Sequence, residues 1–177
     1  KTLATLERVK LTDGIAYNRI YSTKDGSPNS AGAGWSATDL GRLLLALKIL
    51  AVREPEFAAA AERVARRNDF AKIVRDGYLH GRAIGPKGPS DFQEGRIGYE
   101  QYVAAGFSHW GTDVRNAQQL TAKAQPLTVL GVPLLSDRRG FDRLLSEPFI
   151  LYGIELGLSG ELRSLAQGLL RAQEARY

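Results

Sequence analysis

The stretch Asp91-Phe-Gln-Glu-Gly-Arg-Ile-Gly-Tyr-Glu-Gln-Tyr-Val-Ala-Ala-Gly-Phe-Ser-His-Trp-Gly111 puts three acids, one histidine and five aromatic rings into one loop and the helix it opens. From about Ile97 the helix carries Tyr99, Tyr102, Val103, Gly106 and Trp110 on one side. Sugar sites need this mixture, carboxylates for proton transfer and flat rings against pyranose faces. Two further stretches, Gly34–Asp39 and Ser146–Phe149, also put acids and a ring at helix starts. The reading that decides the fold is that these three helix starts lie near one another.

Working toward the N-terminus, Ser36 and Asp39 have capping-box spacing, with Asp in place of the usual Glu. Leu40, Leu43, Leu44, Leu47 and Leu50 follow at helical spacing, so a helix with a buried leucine face runs to about Arg53. Glu54-Pro55 breaks it and starts another, since proline suits the first helical position. Phe57, Ala60, Ala61, Val64 and Ala65 form the apolar face of that second helix, Phe70, Ile73 and Val74 extend it or form a short successor, and Gly77 ends the segment. Before all this, Lys1–Lys10 reads as a helix end and Leu11–Ser30 as a long polar loop with turn signals around a short extended piece. Tyr78–Gln93 reads as irregular, with room for a short strand at Tyr78–Ile84.

Toward the C-terminus, Thr112 caps a helix expected to reach about Ala124. Thr128–Leu135 has β-type content, but Gly131 and Pro133 argue against a central strand. Ser146-Glu147-Pro148 opens a helix that stops at Gly157, and Ser159 caps a last one carrying Leu162, Leu165, Leu169 and Leu170. The sequence therefore predicts an all-α chain of three antiparallel helical hairpins, joined by long loops with space for short β-hairpins. Hairpins packed side by side would gather the starts near residues 36, 97 and 146 on one rim.

Bulk properties bound the function. At 177 residues, with 44% hydrophobic and 24% charged content, this is a single domain's worth of globular chain. No apolar run is long enough to span a bilayer. Cysteine is absent, which removes disulfides and thiolate chemistry. The net charge of +5 is spread rather than concentrated, so nucleic acid is not an expected partner. Gly32-Ala-Gly34 lacks the strand and third glycine of a dinucleotide fingerprint, and no Gly-x-Ser-x-Gly elbow occurs. His80 and His109 have no paired spacing with acids, so neither a metal nor another cofactor is expected. The chain starts at Lys1 and contains no methionine, so Lys1 is not expected to be a translation start.

Glycoside hydrolysis needs two carboxyl groups across the scissile bond. Glu94, on the loop before a helix and beside a glycine, is the first choice for the acid, with Glu100 next. Asp39, Asp113 and Glu147 are candidates for the partner. Trp35, Tyr99, Tyr102 and Trp110 are candidate stacking platforms, and Arg96 would hold a hydroxyl or an acidic sugar's carboxylate. Each has a plainer reading. Asp39 can be only a capping acid, Glu147 only an acid favouring a helix start, and Glu100 an ion-pair partner of Arg96 at i, i+4 spacing. Trp110 and Tyr102 suit a core as well as a platform. In an enzyme the carboxyls would face an open cleft with rings nearby, whereas a scaffold would hold the acids in salt bridges and bury the rings.

Gly34-Trp-Ser-Ala-Thr-Asp-Leu-Gly-Arg-Leu-Leu44, Glu94-Gly-Arg-Ile-Gly-Tyr-Glu-Gln-Tyr102, Gly106-Phe-Ser-His-Trp-Gly111 and Ser146-Glu-Pro-Phe-Ile-Leu151, in that order, resemble the bacterial domain of unknown function DUF3131. That family is similar to the six-hairpin, glucoamylase-like (α/α)6 toroid glycosidases. The resemblance implies that three hairpins are part of a toroid, completed by the rest of a parent chain or by a self-pairing copy. It implies a carbohydrate-active, glycoside-hydrolase-like domain acting on or binding a bacterial glucan or exopolysaccharide, in the periplasm or elsewhere outside the cytoplasm. The alternative is a non-catalytic helical scaffold that binds polysaccharide or a partner protein.

Overall fold

A computed structural model describes residues 1–120, 124–139 and 144–177. The chain opens with α1 (Thr2–Leu6) and a small antiparallel pair, β1 (Leu11–Thr12) and β2 (Ala16–Tyr17), then reaches β3 (Gly34–Trp35) and α2 (Ala37–Arg53). The Ser36 hydroxyl accepts the Asp39 N–H at 3.0 Å and caps α2, as the spacing predicts. Leu40, Leu44, Leu45 and Leu47 are buried along its inner face. Pro55 opens a 3-10 turn that passes into α3 (Ala58–Arg66), followed by the short α4 (Phe70–Ile73).

The expected all-α fold of three helix pairs is not what forms. The fold mixes helices with antiparallel sheets. After α4 the chain runs through β4 (Val74–Arg75), β5 (Tyr78–Gly85) and β6 (Gly88–Gln93). These join β3 in a four-stranded sheet with β5 at its centre. Gly77 does not end a helix. With Asp76 it forms the β4–β5 turn, both residues at positive φ (51° and 71°), as a primed hairpin turn requires. Pro89 is compatible with β6 because that strand pairs on one side only.

The second expected helix pair is also replaced. In place of the long helix expected after α5 (Tyr99–His109), the chain makes the short α6 (Arg115–Gln118), and Gln119 is already extended. A hairpin follows, β7 (Ala124–Val129) and β8 (Val132–Asp137), turning at Leu130-Gly131 with φ of 50° and 79°. Gly131 and Pro133 argue against a central strand, but Gly131 lies in the turn, and in a two-stranded ribbon both strands are edges that tolerate Pro133 and Pro126. The last two expected helices do form, as α7 (Glu147–Glu155) and α8 (Gly160–Glu174), with α8 packed on β8.

What remains of the expected arrangement is the alignment of helix starts. α2 and α5 lie side by side and run in the same direction, since Gly41 meets Val103 and Gly106 while Leu44 meets Trp110 further along. A Cβ on Gly106 would lie 2.2 Å from the Gly41 carbonyl oxygen, so the two backbones nearly touch there. One core gathers α2, α3, α5 and the sheet around Trp35, Leu44, Val64, Leu79 and Phe107. A smaller one joins Ile97, Leu134, Phe149 and Leu165 and fastens β8 and α8 to the start of α5. Among the described residues no helix is long and apolar enough to cross a membrane.

Candidate functional site

Glu94 follows the last residue of β6, and its N–H donates to the Leu79 carbonyl at 2.8 Å. Its side chain lies over Gly81, where a Cβ would come within 2.6 Å of Oε2. The chain then turns through Gly95 and Gly98, both at positive φ (101° and 91°). This turn aims the Glu94 carboxylate at the first turn of α2. Oε2 accepts the Ala37 N–H at 2.5 Å, and Oε1 accepts the Thr38 hydroxyl at 3.3 Å. Helix starts have spare N–H groups and a positive end, so an anion is well placed there.

Gly98 binds the third helix start into the same corner. A Cβ on it would collide with Pro148 and Phe149 at the start of α7. Glu147 lies 3.8 Å from Arg42 across the gap, and its carboxylate neighbours the Tyr99 hydroxyl. Burial, then this carboxylate, raises the Tyr99 hydroxyl above its usual pKa. The three helix starts therefore do converge.

Between them opens a cleft of about 500 Å3. Thr38, Asp39 and Arg42 of α2 form one wall, and the segment from Phe92 to Arg96 with Tyr99 forms the other. Leu145 closes one side. Asp39 is exposed, and among the described residues its carboxylate has no hydrogen-bond or ion-pair partner. The Arg96 guanidinium reaches back to the Gly95 carbonyl at 2.6 Å rather than to Glu100.

The structure separates the sequence candidates. Asp39, Glu94, Arg96 and Tyr99 line the cleft, with Glu147 at its margin. Glu100 does not reach it. That side chain is 1% exposed and ion-paired with Arg139 at 2.8 Å. Trp35, Tyr102 and Trp110 are 1%, 2% and 8% exposed, and serve as core residues rather than platforms. Trp35 donates to the His80 carbonyl under a stacked Arg82, Trp110 donates to the Leu44 carbonyl, and Tyr102 donates to Glu155. Burial, then Glu155, raises the Tyr102 hydroxyl. Asp113 is exposed and paired with Arg115 at 2.7 Å.

Beneath the cleft lies a buried ionic group that sequence reading missed. Arg139 bonds Glu100, Asp137 and the Gln93 side-chain carbonyl. Asp137 also accepts the Ile97 N–H at 3.0 Å, and Gln93 donates to Glu100 and to the Glu94 carbonyl. Burial raises the Asp137 pKa, but the bonds from Arg139 and Ile97 outweigh it and the carboxyl titrates below its usual range. The Gln93–Ile97 turn is thereby fixed from below. Arg42 and Phe92 were also missed as cleft residues, although Arg42, three residues after Asp39, shares its helix face. Among the described residues no group of three or more His, Asp or Glu side chains is arranged to hold a metal ion.

A family model described as "Protein of unknown function (DUF3131)" matches residues 1–177. No curated protein and no solved structure gives a significant match.

Proposed function

The chain belongs to the DUF3131 family, and we propose that within it the chain is a carbohydrate-active domain that takes a saccharide in the cleft between the starts of α2 and α5. The observation that carries this reading is the pairing of two unlike carboxylates in one open cleft beside Tyr99 and Phe92. Glu94 is fixed at both oxygens, while Asp39 is exposed. Tyr99 and Phe92 offer apolar area to a sugar face, and Arg42 and Arg96 offer donors to hydroxyl or carboxylate groups. In hydrolysis one carboxyl would give a proton to the departing glycosidic oxygen. The other would assist addition of water at the anomeric carbon, directly or through a covalent intermediate. A bacterial glucan or exopolysaccharide would place this work outside the cytoplasm.

A second reading, saccharide binding without turnover, is favoured by one observation. Glu100 is held in ion pairs and three of the four candidate rings are buried, as expected of a scaffold. One experiment separates the two. Reducing-sugar release and calorimetric binding are measured on glucan and acidic exopolysaccharide panels, for the wild type and for Asp39→Asn. Release that disappears in the variant supports the hydrolase. Binding without release by the wild type supports the scaffold. Neither binding nor release on any saccharide rejects both.

A further inference from the structure

The cleft does not end at Asp39. A second cavity of about 200 Å3 opens on its other side, lined by Tyr17, Arg19, Tyr21 and Leu43 among others, and Asp39 belongs to the walls of both. A second bridge joins them. The Arg19 guanidinium, from the wall of the smaller cavity, lies 5.5 Å from the centre of the Phe92 ring, from the wall of the larger.

The smaller cavity has a fixed frame. Asn18 is buried and accepts the Thr12 hydroxyl and the Gly34 N–H while donating to the Ile20 carbonyl. Tyr21 accepts the Asn18 N–H and donates to the Lys10 carbonyl, and Tyr17 donates to the Leu6 carbonyl. Both tyrosine hydroxyls are thus tied to backbone. Its volume is below the range of about 300–1,000 Å3 usual for small-molecule pockets, so it suits a short extension of a ligand already held in the larger cleft.

We infer that the two cavities form one groove with Asp39 at the junction, and that its ligand is a saccharide chain lying across both rather than a single terminal sugar. This rests on the saccharide reading proposed above and adds to it a mode of binding. A chain bridging Asp39 presents an internal glycosidic link to that carboxylate. Recognition within a chain, and cleavage there if the domain is hydrolytic, follow from this placement.

The test is calorimetric binding of purified oligosaccharide ladders, disaccharide to octasaccharide, from β-glucan, α-glucan and acidic exopolysaccharide. Wild type is compared with Leu43→Trp, which fills the smaller cavity, and with Arg19→Ala, an exposed change that keeps the test valid if the tryptophan variant misfolds. Affinity is expected to rise about tenfold once the chain is long enough to pass Asp39. In both variants the ratio of long-chain to short-chain affinity should fall toward one. A wild-type affinity that stops rising at the length filling the larger cleft overturns the groove and leaves saccharide binding standing. So does a length gain that survives both substitutions. No binding at any length on any ladder rejects the saccharide reading and the groove together.

Discussion

Both oxygens of Glu94 accept hydrogen bonds from the start of α2, whereas the Asp39 carboxylate, in the same first turn, points into open cleft. The same substitution should therefore act differently at the two. In Glu94→Gln an amide NH2 replaces one of the two acceptors, and the negative charge at the helix end is lost. The variant is expected to lose about 1–2 kcal/mol of stability, read as a lower urea midpoint. Asp39→Asn removes only a charge from the first turn, so its midpoint should move by less than about 1 kcal/mol. Equal losses would mean that Glu94 is not the cap the geometry describes. The rings divide in a similar way. Tyr99 and Tyr102 are three residues apart on α5, yet one lines the cleft and the other is buried against Glu155. Sequence spacing shows that they share a side of the helix but not where core gives way to cleft. That boundary is set by α7, whose contact with α5 is distant in sequence.

At the scale of elements, the parallel pair α2 and α5 puts two helix starts in one corner, and the pair depends on two glycines. Gly106 has the Gly41 carbonyl where a side chain would stand, and that obstacle is backbone with no rotamer to yield. Gly106→Ala should gain helix propensity yet destabilise by about 1–3 kcal/mol through overpacking. It should also lower affinity for any cleft ligand by spreading the walls. A more stable protein on thermal denaturation would show that the helices do not approach this closely. The helix starts were legible because local chemistry marks them, Ser36 with Asp39 and Pro148 after Glu147. The hairpins were not. Pro133 counts against a central strand, yet like Pro89 and Pro126 it lies in a strand paired on one side only. Gly77 reads as a helix end, although Asp76-Gly77 has equal claim to a hairpin turn. Those two readings diverge only when the strands on either side are seen to pair.

For the molecule as a whole, the buried group of Asp137, Arg139 and Glu100 joins the β7–β8 hairpin to α5 and to the turn that carries Glu94. Its members lie 39 residues apart at Glu100 and Arg139, so no local pattern announces the pairing, and Arg139 was legible only as surface charge. A hydrogen-bonded charge inside the protein makes stability depend on pH. The Asp137 pKa is lowered on folding, because its hydrogen bonds outweigh the opposing effect of burial. The stabilisation it supplies is thus present above the unfolded value of about 3.9 and is lost as pH falls through the lower folded value. Asp91, lowered by its bonds to Arg82 and Arg75, adds a slope of the same sign, so the wild-type profile alone cannot isolate Asp137. Comparison with Asp137→Asn does so. At about pH 7 the variant should be less stable by roughly 1.5–3 kcal/mol, the usual worth of a hydrogen bond to a charged group. The gap in urea midpoint should then narrow as pH is lowered through about 4 toward 2, because the wild-type carboxyl is protonated there too. The Glu94 turn rests on this group, so ligand affinity should weaken over the same acid range in the wild type. A gap that stays constant with pH would mean that Asp137 is not held as a carboxylate, and the fixed turn beneath the cleft would need another cause.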